Sequence, residues 1–127
     1  PVEIEAVLES ARAVNTGRVI AVMQPHRFTR LRDLFNEFCA CMNGADMVLL
    51  LPVYEAGESA IDGMNSDALA EGLRSHGHRH VVSLAQNDDL PDALVDVLQA
   101  DDVVICMGAG SISQLANALP QKLEGRL

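Results

Sequence analysis

Val19-Ile20-Ala21-Val22-Met23-Gln24-Pro25-His26-Arg27-Phe28-Thr29-Arg30 is where an apolar run gives way to a histidine and a pair of arginines. The first five residues include β-branched side chains and lie between Gly17 and Pro25, the pattern of a fully buried strand. Past the proline, Arg27, Leu31, Leu34, Phe35 and Phe38 recur at helical spacing, which predicts one helix from about Arg27 to Met42, closed by Asn43-Gly44. Arg27 and Arg30 are three apart, so two guanidinium groups can converge on its first turns at the strand exit.

Outward from this stretch, helix and strand patterns alternate. Met47 to Leu51 is a second continuous apolar run, and Val81-Val82-Ser83-Leu84 and Val103 to Met107 read as the third and fourth strands. Ile4, Val7, Leu8, Ala11 and Val14 mark a first helix. Leu69 and Leu73 mark another, capped by Asn65 or Ser66 and ending near His76-Gly77. A further helix starts at Asp88-Asp89 with Leu90, Leu94, Val97 and Leu98 inward, and Ile112, Leu115 and Leu119 belong to the last. Strands that are apolar throughout belong to parallel sheets covered on both faces. The predicted fold class is α/β, an open three-layer sandwich with a mainly parallel, Rossmann-like sheet and helices on both faces. Ligands in such folds sit beyond the carboxyl ends of the strands, so the loops Gln24 to Arg30, Pro52 to Glu58 and Gly108 to Ser113 form the expected floor of a site.

A chain of 127 residues with 49% hydrophobic content reads as a single domain, 1–127, able to bury its own core. It begins at Pro1 and runs directly into a helical pattern, as expected of a segment of a longer protein. The net charge of −9 argues against nucleic acid or an anionic membrane as partner, since either needs an extensive basic face. Within that acidic chain, no acidic residue lies between Glu9 and Asp33, while Arg12, Arg18, Arg27, Arg30 and Arg32 do: a positive island. Lys122 is the only lysine, and arginine's planar fork suits bidentate capture of carboxylate or phosphate. The arginines could instead cover a helix surface and pair with Asp33 or Glu37. Against that, a positive first helical turn opposes the helix dipole and asks for a ligand.

Cys39, Cys41 and Cys106 sit in apolar stretches and read as reduced core residues. With no signal peptide and no apolar run of bilayer-spanning length, the expected location is cytoplasmic, with no membrane partner. Gly108-Ala109-Gly110-Ser111 is half of a dinucleotide fingerprint but follows the last strand. It reads as a tight turn whose amides or Ser111 could also meet a substrate. Tyr54, the only tyrosine, either reaches a ligand or caps the core. Glu55 and Glu58 in the same loop could act on a cation or an amine, although exposed loop carboxylates are usually only solvated. His76, His78 and His80 read as surface histidines, and no metal site is expected. The chain contains no Gly-x-x-x-x-Gly-Lys-Ser/Thr phosphate loop, no Gly-x-Ser-x-Gly elbow and no Cys-x-x-Cys pair.

Gln24 to Arg30, the Val53-Tyr54-Glu55-Ala56-Gly57-Glu58 loop with Ile61-Asp62-Gly63, and Gly108 to Ile112 together resemble the C-terminal domain of the UDP-N-acetylmuramate:L-alanine ligases, within the Mur ligase family. The resemblance spans nearly the whole chain. The related murein-tripeptide-recycling branch usually carries Arg-Ser-Asn-Thr where the arginine motif stands. Pro1-Val2-Glu3-Ile4 resembles the family segment that follows Tyr-Gly-His-His. The resemblance implies that 1–127 is the amino-acid-presenting third of a three-domain ligase in peptidoglycan precursor synthesis. There ATP phosphorylates the sugar's lactyl carboxylate, the amino group attacks the acyl phosphate, and phosphate leaves from a tetrahedral intermediate. ATP and magnesium are then held mainly by a missing central domain, and L-alanine and UDP-N-acetylmuramate are partners only with the other domains present. The resemblance also implies that His26, Arg27 and Arg30 hold the alanine carboxylate and the charge of the intermediate, with Tyr54, Gly110 and Ser111 lining the same cleft. No residue of the fragment is catalytic by itself, and the fragment alone is expected to be inactive. One departure is Pro52, where many relatives have Asp, so any polar contact made by that side chain in the relatives is not carried over to this chain. The alternative is a stand-alone nucleotide- or anion-binding Rossmann-like module. A phosphoacceptor receiver domain is discouraged, because the first two strands run out at Gln24 and Pro52 with no acidic cluster.

Overall fold

Val19–Gln24 forms β1, buried along its whole length, and the rest of the chain is arranged around it. The computed structural model describes residues 2–14, 17–78, 80–108 and 112–126. In chain order the elements are α1 (Val2–Val14), β1, α2 (Phe28–Asp33), α3 (Phe35–Ala40), β2 (Met47–Leu50), α4 (Ser66–Ser75), β3 (Val81–Ser83), a 3-10 turn (Asn87–Asp89), α5 (Leu90–Val97), β4 (Val103–Gly108) and α6 (Ile112–Leu123). The strands form one sheet in the order β3-β2-β1-β4, every pairing parallel. The expected α/β sandwich is therefore present.

Alternation along β1 divides the core in two. Val19, Ala21 and Met23 pack with Leu8, Leu31, Phe38, Leu69 and Leu73, so α1 to α4 cover one face. Ile20 and Val22 pack with Leu49, Leu90, Leu94 and Leu119, so α5 and α6 cover the other. Each fully buried leucine contributes about 1.5–3 kcal/mol. β3 and β4 are edges, and this tempers the expectation of uniform burial: Val82 is 40% exposed, and Val103 to Met107 are all half-buried. At its carboxyl end β4 presses against β1, where a Cβ on Gly108 would lie 2.5 Å from the Gln24 carbonyl oxygen.

Three expectations need correction. The single helix from Arg27 to Met42 is two helices joined at Leu34, whose backbone (φ −118, ψ 20) is not helical. Leu34 N–H still donates to Arg30 O and Phe38 N–H to Leu34 O, so both backbone groups of Leu34 are bonded at the joint. α3 leans onto α4 where Gly72 offers no side chain: a Cβ there would stand 2.3 Å from Cys39 Sγ. In α1, only Leu8 and Ala11 of the expected stripe are fully buried, with Val14 81% exposed. His78 is a core histidine, not a surface one: its Nε2 donates to Ala45 O at 2.9 Å and its Nδ1 accepts the His80 amide at 3.2 Å.

Candidate functional site

Strand order reverses at β1: the chain builds outward through β2 and β3, then returns to place β4 on β1's other side. A crevice at the carboxyl ends is the consequence, and it is the usual ligand position in open parallel sheets. Here it is a cavity of about 540 Å³, lined by Gln24, His26, Met107 and Gly108 at the strand ends, by Arg30 of α2, by Ile4, Val7 and Phe38 as an apolar wall, and by Glu3 of α1, whose carboxylate belongs to the same lining. Val7 is 42% exposed because it faces this cavity. The lining thus sets a guanidinium and an imidazole, with one carboxylate from Glu3, against an apolar wall, a combination suited to a small charged molecule carrying a short hydrophobic group.

His26 leaves β1 in an extended conformation and forms an isolated parallel bridge with Tyr54. Tyr54 N–H donates to Pro25 O at 2.8 Å, and Arg27 N–H donates to Tyr54 O at 2.7 Å. Above these bonds the His26 and Tyr54 rings stack, with centroids 5.4 Å apart and planes within 11°. The stack restricts the imidazole to one orientation at the cavity's edge.

Arg27 departs from its expected place on the first helical turn. It precedes α2 with φ 66 and ψ 139, a region that non-glycine residues avoid. Its side chain is exposed and does not line the cavity. Arg30 lies inside α2, lines the cavity with His26, and has no ion-pair partner among the described residues. The positive island is also divided. Arg12 pairs with Asp46 and Arg18 with Asp102 at the sheet's opposite end, while Arg32 pairs in solvent with Asp33.

Tyr54 lines a second cavity of about 530 Å³ with Pro52, Glu55, Asn87 and Gln24. Gln24 forms the wall between the two spaces. Its side chain is buried, and its Nε2 donates to Pro52 O and Asn87 Oδ1, each at 3.2 Å. Its importance was visible in sequence only as a polar end to an apolar strand. Gly110 and Ser111 lie outside the described residues, so their expected place in the cleft stands as an expectation.

Of the two expectations for Glu58, simple solvation does not hold, and the partner is Thr29 and not a cation or an amine. It accepts the Thr29 hydroxyl at 2.6 Å and the Thr29 amide at 3.2 Å. Those two bonds, then the Phe28 amide and the charge of Arg27, hold its carboxyl below the ordinary carboxylate range against an opposing desolvation. Among the described residues no group of three or more His, Cys, Asp or Glu side chains is placed to hold a metal ion.

Residues 1–110 match the family described as Mur ligase, glutamate ligase domain. The UDP-N-acetylmuramate–L-alanine ligase of Parvibaculum lavamentivorans is 55% identical over 123 residues, covering 97% of this chain and 25% of the relative. That of Gluconobacter oxydans is 54% identical over 124 residues, covering 98% and 26%. The chain therefore spans about a quarter of the length of the curated relatives it matches. Among solved structures, a domain described as coming from a UDP-N-acetylmuramate:L-alanyl-gamma-D-glutamyl-diaminopimelate ligase of Haemophilus ducreyi superposes with a TM-score of 0.67. It is 21% identical, covers 97% of this chain and 83% of that one, and supports the fold alone. With 110 of its 127 residues matched, the chain belongs to the Mur ligase family, as its glutamate ligase domain.

Proposed function

We propose that this chain is the C-terminal, amino-acid-presenting domain of a three-domain ATP-dependent ligase that joins L-alanine to UDP-N-acetylmuramate in the cytoplasm, and that it is inactive alone. The observation that carries this is the placement of His26 and Arg30 in one cavity at the sheet's switch point, with Arg30 unpaired among the described residues and an apolar wall beside it. An amino acid has complementary chemistry: a carboxylate for the guanidinium fork and the imidazole, and a methyl group for Ile4, Val7 and Phe38. Held by its carboxylate, the substrate turns its amine outward, toward the carbonyl it must attack. Arg27, exposed just before α2 and outside the cavity lining, would supply positive charge from beside the cavity once the other domains close over it. Tyr54 fixes the imidazole through the ring stack.

ATP and magnesium do not fit the residues present. The chain contains no phosphate loop, and the described residues hold no acidic cluster for a metal. The other domains of the parent protein supply both. Relatives that match nearly the whole chain are named as ligases, which disfavours a stand-alone nucleotide- or anion-binding module. The test is phosphate release by the full-length protein. Release requiring ATP, UDP-N-acetylmuramate and L-alanine together is expected. Release without L-alanine, or micromolar ATP binding by this chain alone, would favour the module.

A further inference from the structure

The start of α2 lacks a cap of its own. Arg27 precedes it without a side-chain bond to its amides, and the first amides of any helix need partners from elsewhere. They find one 29 residues downstream, where Glu58 accepts the Thr29 amide at 3.2 Å and the Thr29 hydroxyl at 2.6 Å. This is the work of an N-cap done from another loop.

We infer that Glu58 is a positioning residue for the amino-acid site: its carboxylate clasps the start of α2 to the loop that carries Tyr54, and so fixes where Arg27 and Arg30 stand relative to His26. The inference rests on the reading of the cavity proposed above. Two fastenings join the loops. One is the Tyr54 pairing, with bonds of 2.8 Å to Pro25 O and 2.7 Å from the Arg27 amide. The other is the Glu58 clasp. Arg27, with φ 66, lies between them, and backbone in so unfavourable a region persists only when the surroundings over-determine it. Cutting the clasp leaves one fastening, and Arg27 is then free to relax toward an ordinary extended conformation, carrying the first turn of α2 with it. Arg30 is on that turn. Glu58 lines neither of the two cavities at the strand ends, so it acts through α2, not on substrate. The Glu58 turn is itself shaped for this, with its amide donating to Glu55 O at 3.0 Å and Ala56 and Gly57 both at positive φ.

The experiment uses the full-length ligase carrying this chain, with steady-state kinetics for Glu58→Ala, Glu58→Gln and Arg30→Ala. A displaced Arg30 raises the KM for L-alanine in Glu58→Ala by about tenfold or more, since small misplacements of binding groups are costly. The KM for ATP stays within about twofold of wild type. Glu58→Gln recovers part of the loss, because an amide oxygen still accepts from Thr29. A merely structural role lowers the melting temperature and the fraction of active enzyme but leaves the alanine KM unchanged. Arg30→Ala raising the alanine KM while Glu58→Ala does not would overturn the positioning role and leave the site reading intact. If neither does, the reading of the cavity fails and the inference with it. Should Glu58→Ala not fold, Thr29→Val removes only the hydroxyl donor and carries the same test. A raised alanine KM supports the clasp, and an unchanged one overturns it.

Discussion

Replacing Arg27 by glycine should stabilise the domain relative to replacing it by alanine. Arg27 has φ 66 and ψ 139, and a non-glycine residue held in such a region costs about 1–3 kcal/mol. Alanine at 27 keeps that cost; glycine removes it but returns roughly 0.5–1 kcal/mol through its greater freedom in the unfolded chain. The difference predicted is up to about 2.5 kcal/mol in favour of glycine, centred on roughly 1 kcal/mol. Both variants lose the guanidinium and its attraction to Glu58, so those effects cancel in the comparison. Urea unfolding monitored by circular dichroism, with equal slopes required of the two variants, measures the difference directly. Alanine equal to or more stable than glycine would refute the claim that tertiary contacts force this backbone. The full-length enzyme should be impaired in both variants, which would make the strained residue a case of stability given up for function.

Other outcomes follow from single features of the fold. His78 is held neutral: desolvation, with His80 adding to it, pushes its pKa below the ordinary 6.5 against the opposing Ala45 bond and Asp46 charge. The unfolded chain then binds the proton first, so stability is full above about pH 6.5 and falls as pH drops toward the folded-state pKa. A proton NMR titration placing His78 at or above 6.5 would contradict this. Leu49→Ala, in the fully buried core beneath α5 and α6, should cost about 2–5 kcal/mol, whereas Val82→Ala on the exposed edge strand should cost under about 1 kcal/mol. Equal costs in urea unfolding would refute the burial assignment. Gly108→Ala combines φ 137 with a 2.5 Å approach to the Gln24 backbone and should cost at least about 2 kcal/mol. Wild-type stability of that variant would mean that β1 and β4 are not so close.

The strands were legible because each is a short apolar run bounded by glycine, proline or polar residues, and four such runs between helical patterns leave few alternatives to a parallel sheet. The loops at the carboxyl ends followed from that, and His26 and Arg30 with them. What sequence did not reveal is what tertiary contacts decide. The helix break at Leu34 has no glycine or proline to announce it. Arg27 has ordinary helical neighbours in sequence and is held out of the helix by Tyr54 O. Glu58 resembles any loop carboxylate until Thr29 is placed beside it. His78 looks like a surface residue in sequence because its partners are the backbone of Ala45 and His80, and backbone partners leave no mark in composition. Arg12 and Arg18 joined the positive island by proximity in sequence, yet β1's length puts them at the other end of the sheet from Arg30.

The central claim is that Arg30 holds the carboxylate of the incoming amino acid, and it is tested most directly by changing both partners. In the full-length ligase, kcat/KM should be measured for L-alanine and L-alaninamide with wild-type enzyme and with Arg30→Ala. The account predicts that Arg30→Ala lowers kcat/KM for L-alanine by about 2–4 kcal/mol, or roughly 30- to 1000-fold, and has little further effect on the amide, which has no carboxylate to lose. Equal losses for both substrates, or no loss for either, would contradict it.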